Sequence, residues 1–306
     1  MTSQAHCFAS AVVYVHNNAS TVAQFITTLD RYLQDTFTAH EIICVNDASS
    51  DDSAQIIREV SRSINNSSIT TIHFNHRLGP ELAMQAGIEL SIGDFVYEFD
   101  FATMNFSQST IAAAYEKAAE GNDIVGVSPD TKSKLSSRLF YRAMGPVGNS
   151  EDLMHTEAFR LLSRRAINRV KDMCQVTPYR KAVYASSGLR YATIFFSPSS
   201  TEKLRDKGYR TDTAINALLL FTRIGYRISI GLAFFMMAVA LFMIIYSFVC
   251  YFAGITISGW MTTILFLSFA FLGLFGILAI VIKYLQLIVN LVFKKKSFSY
   301  ESIERY

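Results

Sequence analysis

Residues 228–282 contain no charged side chain and no Asn, Gln, His or Pro. A helix rises 1.5 Å per residue and the hydrocarbon core of a bilayer is about 30 Å thick, so one crossing takes roughly 20 residues. A run this long suits two crossings. Gly254 and Gly259 bracket a short stretch between bulkier segments, which predicts spans at 228–253 and 260–282 joined by a turn at 254–259. Trp260, the one tryptophan, opens the second span, where an indole favours the headgroup level. A helical hairpin buried in a soluble core would need a far larger protein to cover it.

The flanks set an orientation. Arg223 and Arg227 precede the first span, Lys283, Lys294, Lys295 and Lys296 follow the second, and the turn is uncharged. The positive-inside rule then places both ends in the cytoplasm, giving a multi-pass protein of the inner (cytoplasmic) membrane. Residues 1–7 lack the basic start and apolar stretch of a signal peptide, which agrees with that placement. Residues 283–306 are expected to be a cytoplasmic tail.

Ahead of the spans the pattern changes. Apolar runs at 8–15, 41–45, 69–74, 95–99 and 124–127 read as strands. Helical periodicity separates them at about 20–33, 51–64, 80–91 and 107–120, with Ser20 as a candidate cap, Pro80 at a first helical turn and Gly121 as a stop. This alternation predicts an α/β fold, a mostly parallel sheet with helices on both faces, followed by the two transmembrane helices. Residues 1–215 form the expected cytoplasmic domain and 216–227 a juxtamembrane interface helix. In such sheets ligands sit at the carboxyl ends of the strands, here marked by Asn17, Asn18, Asp47 and Asp100. No glycine fingerprint follows the first strand and no P-loop occurs, which argues against a dinucleotide cofactor.

Charge is polarised along the chain. Residues 1–129 hold 15 acidic against 5 basic side chains, whereas residues 130–227 hold 18 basic against 8 acidic. A basic segment beside a membrane suits anionic headgroups and a phosphorylated lipid; the acidic remainder makes nucleic acid a poor partner. Residues 132–144 place Leu135, Leu139, Phe140 and Met144 against Lys134, Arg138 and Arg142, a pattern that fits a helix on a membrane surface or one packed on the sheet. Cys7, Cys44, Cys174 and Cys250 show no metal or redox spacing and read as reduced thiols.

Five segments in order resemble family 2 glycosyltransferases of the GT-A fold, in the branch of polyprenyl- and dolichyl-phosphate sugar synthases that includes two-span bactoprenol-phosphate glucosyltransferases. They are VVYVHNN (12–18), VNDASSDDS (45–53), the stretch from Asn75 to Asp100 ending in EFD, EAFRLLSRRAI (157–167), and the second span with its KKK-bearing tail. The resemblance implies transfer of one sugar, with inversion, from a nucleotide sugar to a polyprenyl phosphate at the cytoplasmic membrane face, for cell-surface polysaccharide assembly. It implies nucleotide-sugar binding at Val15, Asn17, Asn18 and Asp47, and a divalent cation, Mg²⁺ or Mn²⁺, on Asp100. Glu98 is expected to join Asp100 in catalysis, since strand alternation puts both on one face. Lys134, Arg138 and Arg160 are the candidates for the lipid phosphate. Membrane lipids are expected partners, and a homo-oligomer is compatible with the sequence.

The chain departs from the family pattern where Ala102 replaces the second carboxylate of the metal motif, Asn18 its glutamate and Ala158 its aspartate. These changes keep open an alternative: a catalytically altered pseudoenzyme serving as a membrane binding or assembly partner. A processive synthase is disfavoured, because those proteins carry a QxxRW segment and the tryptophan here lies in a span.

Overall fold

The computed structural model describes residues 5–64, 67–130, 157–173, 179–198 and 300–305, with helical residues scattered through 231–288. The chain forms two compact units, Met1–Thr213 with Lys295–Tyr306, and Ala214–Lys294.

The first unit is built on an eight-stranded sheet. In chain order its elements are β1 (Ala5–Val15), α1 (Val22–Thr36), β2 (Phe37–Asn46), α2 (Ser53–Ser63), β3 (Ser68–Phe74), α3 (Pro80–Leu90) and β4 (Phe95–Phe99). Then come α4 (Gln108–Ala119), β5 (Ile124–Pro129), β6 (Phe159–Ser163), α5 (Arg164–Met173), α6 (Arg180–Ser186), β7 (Tyr191–Phe196) and β8 (Tyr300–Arg305). The sheet order is β7-β5-β6-β4-β1-β2-β3-β8. The central strands β4, β1, β2 and β3 run parallel, as the strand–helix alternation predicts. β5 and β7 run the same way as these four, so six of the eight strands share one direction and the sheet is mostly parallel as expected, with two reversed strands. β6 enters antiparallel between β4 and β5, and β8 pairs antiparallel with β3. Residues 300–305, expected in a tail, are therefore a sheet strand.

Strand alternation divides the core into two layers. Ala9, Ala11, Val13 and Val15 of β1 face α1, α2 and α4, where Phe25, Leu29, Ile57 and Ile111 are buried. Val12 and Tyr14 face the opposite layer with Met84 of α3, Ala166 of α5 and Tyr184 of α6. The helix α3 lies so close to the sheet that a Cβ on Gly87 would stand 2.4 Å from Val12 Cγ1 and 2.7 Å from Val45 Cγ2. Thr21, rather than Ser20, occupies the N-cap of α1, and no side chain caps it. Cys44 is buried in the core, its thiol pushed up to about 12 by desolvation, and Cys7 is partly buried. Cys174 and Cys250 lie outside the described residues.

In the second unit every described residue between 231 and 288 is helical. A Cβ on Gly273 would meet Met236 Cγ at 2.7 Å, and one on Gly276 would meet Leu232 Cδ2 at 3.4 Å. As one index rises the other falls, so the two segments pack antiparallel, with glycines admitting close approach. Leu267, Phe271, Leu274, Leu278, Val281, Leu285 and Ile288 are all exposed and recur every three or four residues, an outward apolar stripe. Among the described residues no helix is long and apolar enough to cross a membrane. Most of 228–253, about half of 260–282, and all of 216–227 and 254–259 lie outside those residues.

Candidate active site

The carboxyl ends of β1 and β2 carry two turns that are stitched together. Asn17 adopts a left-handed φ of 55° and Ala48 one of 51°, which brings the turns within hydrogen-bonding reach. The Asn17 side-chain oxygen accepts from the Ser50 amide at 2.8 Å, and the Asn17 amide donates to Ser49 Oγ at 3.1 Å. Asn18 donates its amide to Ser53 Oγ at 2.9 Å while its side chain accepts from the His16 amide at 2.9 Å. His16 Nδ1 donates to the Asp47 carbonyl at 2.7 Å. Val15 is buried at the end of β1, and its carbonyl accepts from the Asp47 amide at 2.9 Å.

Asp47 is fully buried and serves three donors. Tyr14 Oη donates at 2.8 Å, and the amides of Leu78 and Gly79 donate at 2.7 and 2.9 Å. Gly79 caps α3 at φ 86°, a conformation suited to glycine, so Asp47 fixes the entry to that helix and sits at its positive end. Burial first, then the Asp47 charge, pushes the Tyr14 phenol far above its ordinary range, keeping it a neutral donor.

At the end of β4 a buried ionic cluster forms on the face of the sheet covered by α3, α5 and α6. β6 pairs with β4 in a register that sets Arg160 directly opposite Glu98. Arg160 donates from Nε to Glu157 at 2.5 Å, from Nη1 to Glu98 at 2.6 Å and from Nη2 to Asp100 at 2.9 Å. Arg180, at the start of α6, donates from Nη2 to the other Asp100 oxygen at 2.5 Å and from Nε to Glu81 at 3.0 Å. Its Nη1 stands 3.4 Å from Glu98 and makes no hydrogen bond. Tyr184 Oη donates to the second Glu98 oxygen. Glu157 also receives Tyr191 Oη at 2.5 Å and Lys181 Nζ at 2.8 Å, in space left open by Gly126.

Desolvation alone would lower both arginines, but the surrounding carboxylates overcome it and hold both well above the ordinary arginine range. Burial by itself would raise Glu157; Lys181 and Arg160 reverse that and hold it below the ordinary glutamate value of 4.5. Arg160, Arg180 and Glu157 are thus held in their charged forms, and each carboxylate of the cluster has a cationic partner.

The structure brings Glu98, Asp100 and Arg160 together, and places Asn17, Asn18 and Asp47 at the neighbouring strand ends. Lys134 and Arg138 lie outside the described residues. Sequence reasoning missed Arg180, Glu81, Lys181, Tyr184 and Tyr191. Arg180 stands 99 positions from Glu81 and 80 from Asp100, so no local spacing could have joined them.

A divalent cation at this point would need carboxylate oxygens free to coordinate it. Both oxygens of Asp100 are held by guanidinium groups, both of Glu98 by Arg160 and Tyr184, and Ala102 is buried in the apolar core. Among the described residues no three His, Cys, Asp or Glu side chains are grouped to hold a metal. The residues present do not fit the ion. A cavity of about 80 Å³ adjoins the cluster, lined by Gln85, Leu162 and Ile167 together with Arg180 and Tyr184, and is too small for a nucleotide sugar.

The uncharacterized glycosyltransferase sll0501 of Synechocystis sp. is 26% identical over 193 residues, covering 61% of this chain and 60% of that protein. The uncharacterized glycosyltransferase YkcC of Bacillus subtilis is 25% identical over 214 residues, covering 68% and 63%. The chain therefore spans about 60% of the length of these relatives. Among solved structures, the mannosyltransferase PcManGT from Pyrobaculum calidifontis, in complex with GDP-Man and Mn²⁺, is similar at a TM-score of 0.48 and 13% identity over 90% of this chain and 88% of that one. Residues 10–171, from the first strand of the sheet to α5, match the glycosyl transferase family 2 domain, and the chain belongs to that family.

Proposed function

We propose that the chain transfers a sugar from a nucleotide sugar to a polyprenyl phosphate at the inner face of the cytoplasmic membrane. Family membership supports the transferase part. The observation that carries the lipid part is the exposed apolar stripe of Leu267, Phe271, Leu274, Leu278, Val281, Leu285 and Ile288, a surface suited to lipid and not to water. The antiparallel packing of Leu232 and Met236 on Gly276 and Gly273 supports a hairpin, and both pairings centre on residues 254–255 in sequence, beside the expected turn.

In this reading the nucleotide end of the donor rests on the stitched turns of Val15, Asn17, Asn18 and Asp47. The acceptor phosphate is largely dianionic near neutrality, with a second pKa around 6, and needs no strong general base. One of its oxygens bonds to the anomeric carbon as the bond to the nucleoside diphosphate breaks, and the departing diphosphate takes the electron pair with inversion at that carbon. Positioning and charge complementarity are what the protein supplies. The basic stretch with Lys134 and Arg138 supplies cations for the lipid phosphate.

The test is incubation of membranes containing the chain with a panel of labelled nucleotide sugars, with and without added polyprenyl phosphate. Label entering the organic phase as an acid-labile lipid phosphate is the expected result. A product that forms only in the aqueous phase overturns the lipid acceptor. A second reading, a pseudoenzyme, is favoured by the arginines locked on Glu98 and Asp100. Nucleotide binding without transfer from every donor tried would select it.

A further inference from the structure

We infer that Arg160 and Arg180 take the place of a divalent cation at the end of β4, so that Glu98 and Asp100 are arginine holders and not metal ligands. The inference rests on the nucleotide-sugar reading only where it concerns the nucleotide; its metal part stands on the cluster alone.

Three observations converge. First, the two guanidinium groups approach the Glu98–Asp100 pair from different elements, β6 and α6, and occupy both Asp100 oxygens at 2.9 and 2.5 Å. Second, each arginine is anchored by a further carboxylate behind it, Glu157 for Arg160 and Glu81 for Arg180. Neither arginine can leave without abandoning a desolvated partner. Third, the position that would complete a two-carboxylate ion site is Ala102, turned into the apolar layer with Phe99 and Phe106. An ion entering here must displace a buried, charge-assisted pair, which lowers its affinity on the order of a hundredfold or more.

The arrangement also differs chemically from a hydrated ion. Guanidinium groups are planar, permanently charged donors suited to phosphate oxygens, and they bring no exchangeable water. Arg180 retains one such donor, Nη1, with no hydrogen bond although the side chain is only 2% exposed. A phosphate oxygen reaching the end of β4 would satisfy it.

The experiment uses the full chain purified in detergent. Mn²⁺ binding is followed by electron paramagnetic resonance without nucleotide, and binding of nucleoside diphosphates is followed calorimetrically in Mn²⁺ or in chelator. The expected result is no stoichiometric Mn²⁺ site and a nucleotide affinity that changes less than about threefold between the two conditions. One equivalent of bound Mn²⁺ that is lost in Asp100→Asn overturns the inference. Arg180→Met, checked for folding by circular dichroism, should gain Mn²⁺ affinity at least tenfold as the carboxylates are released. A folded Arg180→Met that binds no Mn²⁺ also overturns it, and Arg180→Lys keeps the charge should the methionine variant not fold. Mn²⁺ binding is read without sugar transfer, so failure of the transferase reading leaves this outcome independent.

Discussion

Arg160 shows most clearly how a residue's role depends on its surroundings. From sequence it is a candidate for the lipid phosphate; in the fold its guanidinium is shared among Glu98, Asp100 and Glu157 with 7% of the side chain exposed. Arg160→Ala would leave three carboxylates around a vacated cation, and removing one partner of a buried pair costs about 3–5 kcal/mol. A drop of that size in urea unfolding is expected, with Arg160→Lys recovering part of it. A variant of undiminished stability whose acceptor KM alone rises would return the arginine to the lipid phosphate. Glu157 gives the pH counterpart. Its folded value lies below 4.5, so its contribution to stability is complete above that pH and is lost as pH falls through the depressed value. Acid titration of stability between pH 6 and 3 should steepen below about 4.5, and Glu157→Gln should flatten that limb while lowering stability at neutral pH. Asp47→Asn is expected to weaken nucleotide binding and stability together, because the amides of Leu78 and Gly79 lose an ionised acceptor. Loss of nucleotide affinity with unchanged melting would instead place its carboxylate on the ligand.

The elements divide into those that local pattern could reveal and those it could not. α1 to α4 obey a period of 3.6 because each buries one face against the sheet, whereas β1 to β5 show as apolar runs because both of their faces are covered, and β4 occupies residues 95–99 as its run predicts. β6 is hidden by its own chemistry. Arg160 interrupts a five-residue apolar stretch, and the strand is credible only beside the matching Glu98 of β4. That pairing is long-range and antiparallel, so it leaves no trace in spacing. β8 is hidden for another reason: YESIER has weak alternation and its partner β3 lies more than 200 residues earlier. The same division governs the site, where strand ends marked Asn17, Asn18, Asp47 and Asp100, but the cations on α6 needed the tertiary fold. Close packing gives one test at this scale. Gly87→Val must push α3 off Val12 and Val45, which overpacking data put at about 1–3 kcal/mol. The urea midpoint should fall accordingly; an unchanged midpoint would mean α3 is less tightly seated.

For the whole molecule, connectivity constrains topology. The chain leaves the first unit after Thr213 and rejoins it at Lys295, and β8 then adds to the sheet. If residues 214–294 enter a membrane, they must cross it an even number of times, which agrees with the proposed hairpin and with the basic flanks. A cysteine introduced at Ser258 should react with an impermeant thiol reagent on whole cells, and one at Ser299 should not. The reverse pattern would overturn the orientation. β8 also carries a consequence for biosynthesis. The strand that pairs with the outer edge of β3 is made only after the 81 residues of the second unit. At a synthesis rate of about 5–20 residues per second, the stretch between β3 and β8 takes roughly 11–45 seconds to make, and through that time β3 has one edge unpaired. If residues 214–294 enter a membrane as proposed, targeting precedes completion of the sheet, and a ribosome stalled within them would leave a nascent chain at its membrane with an edge of β3 still open to chaperones.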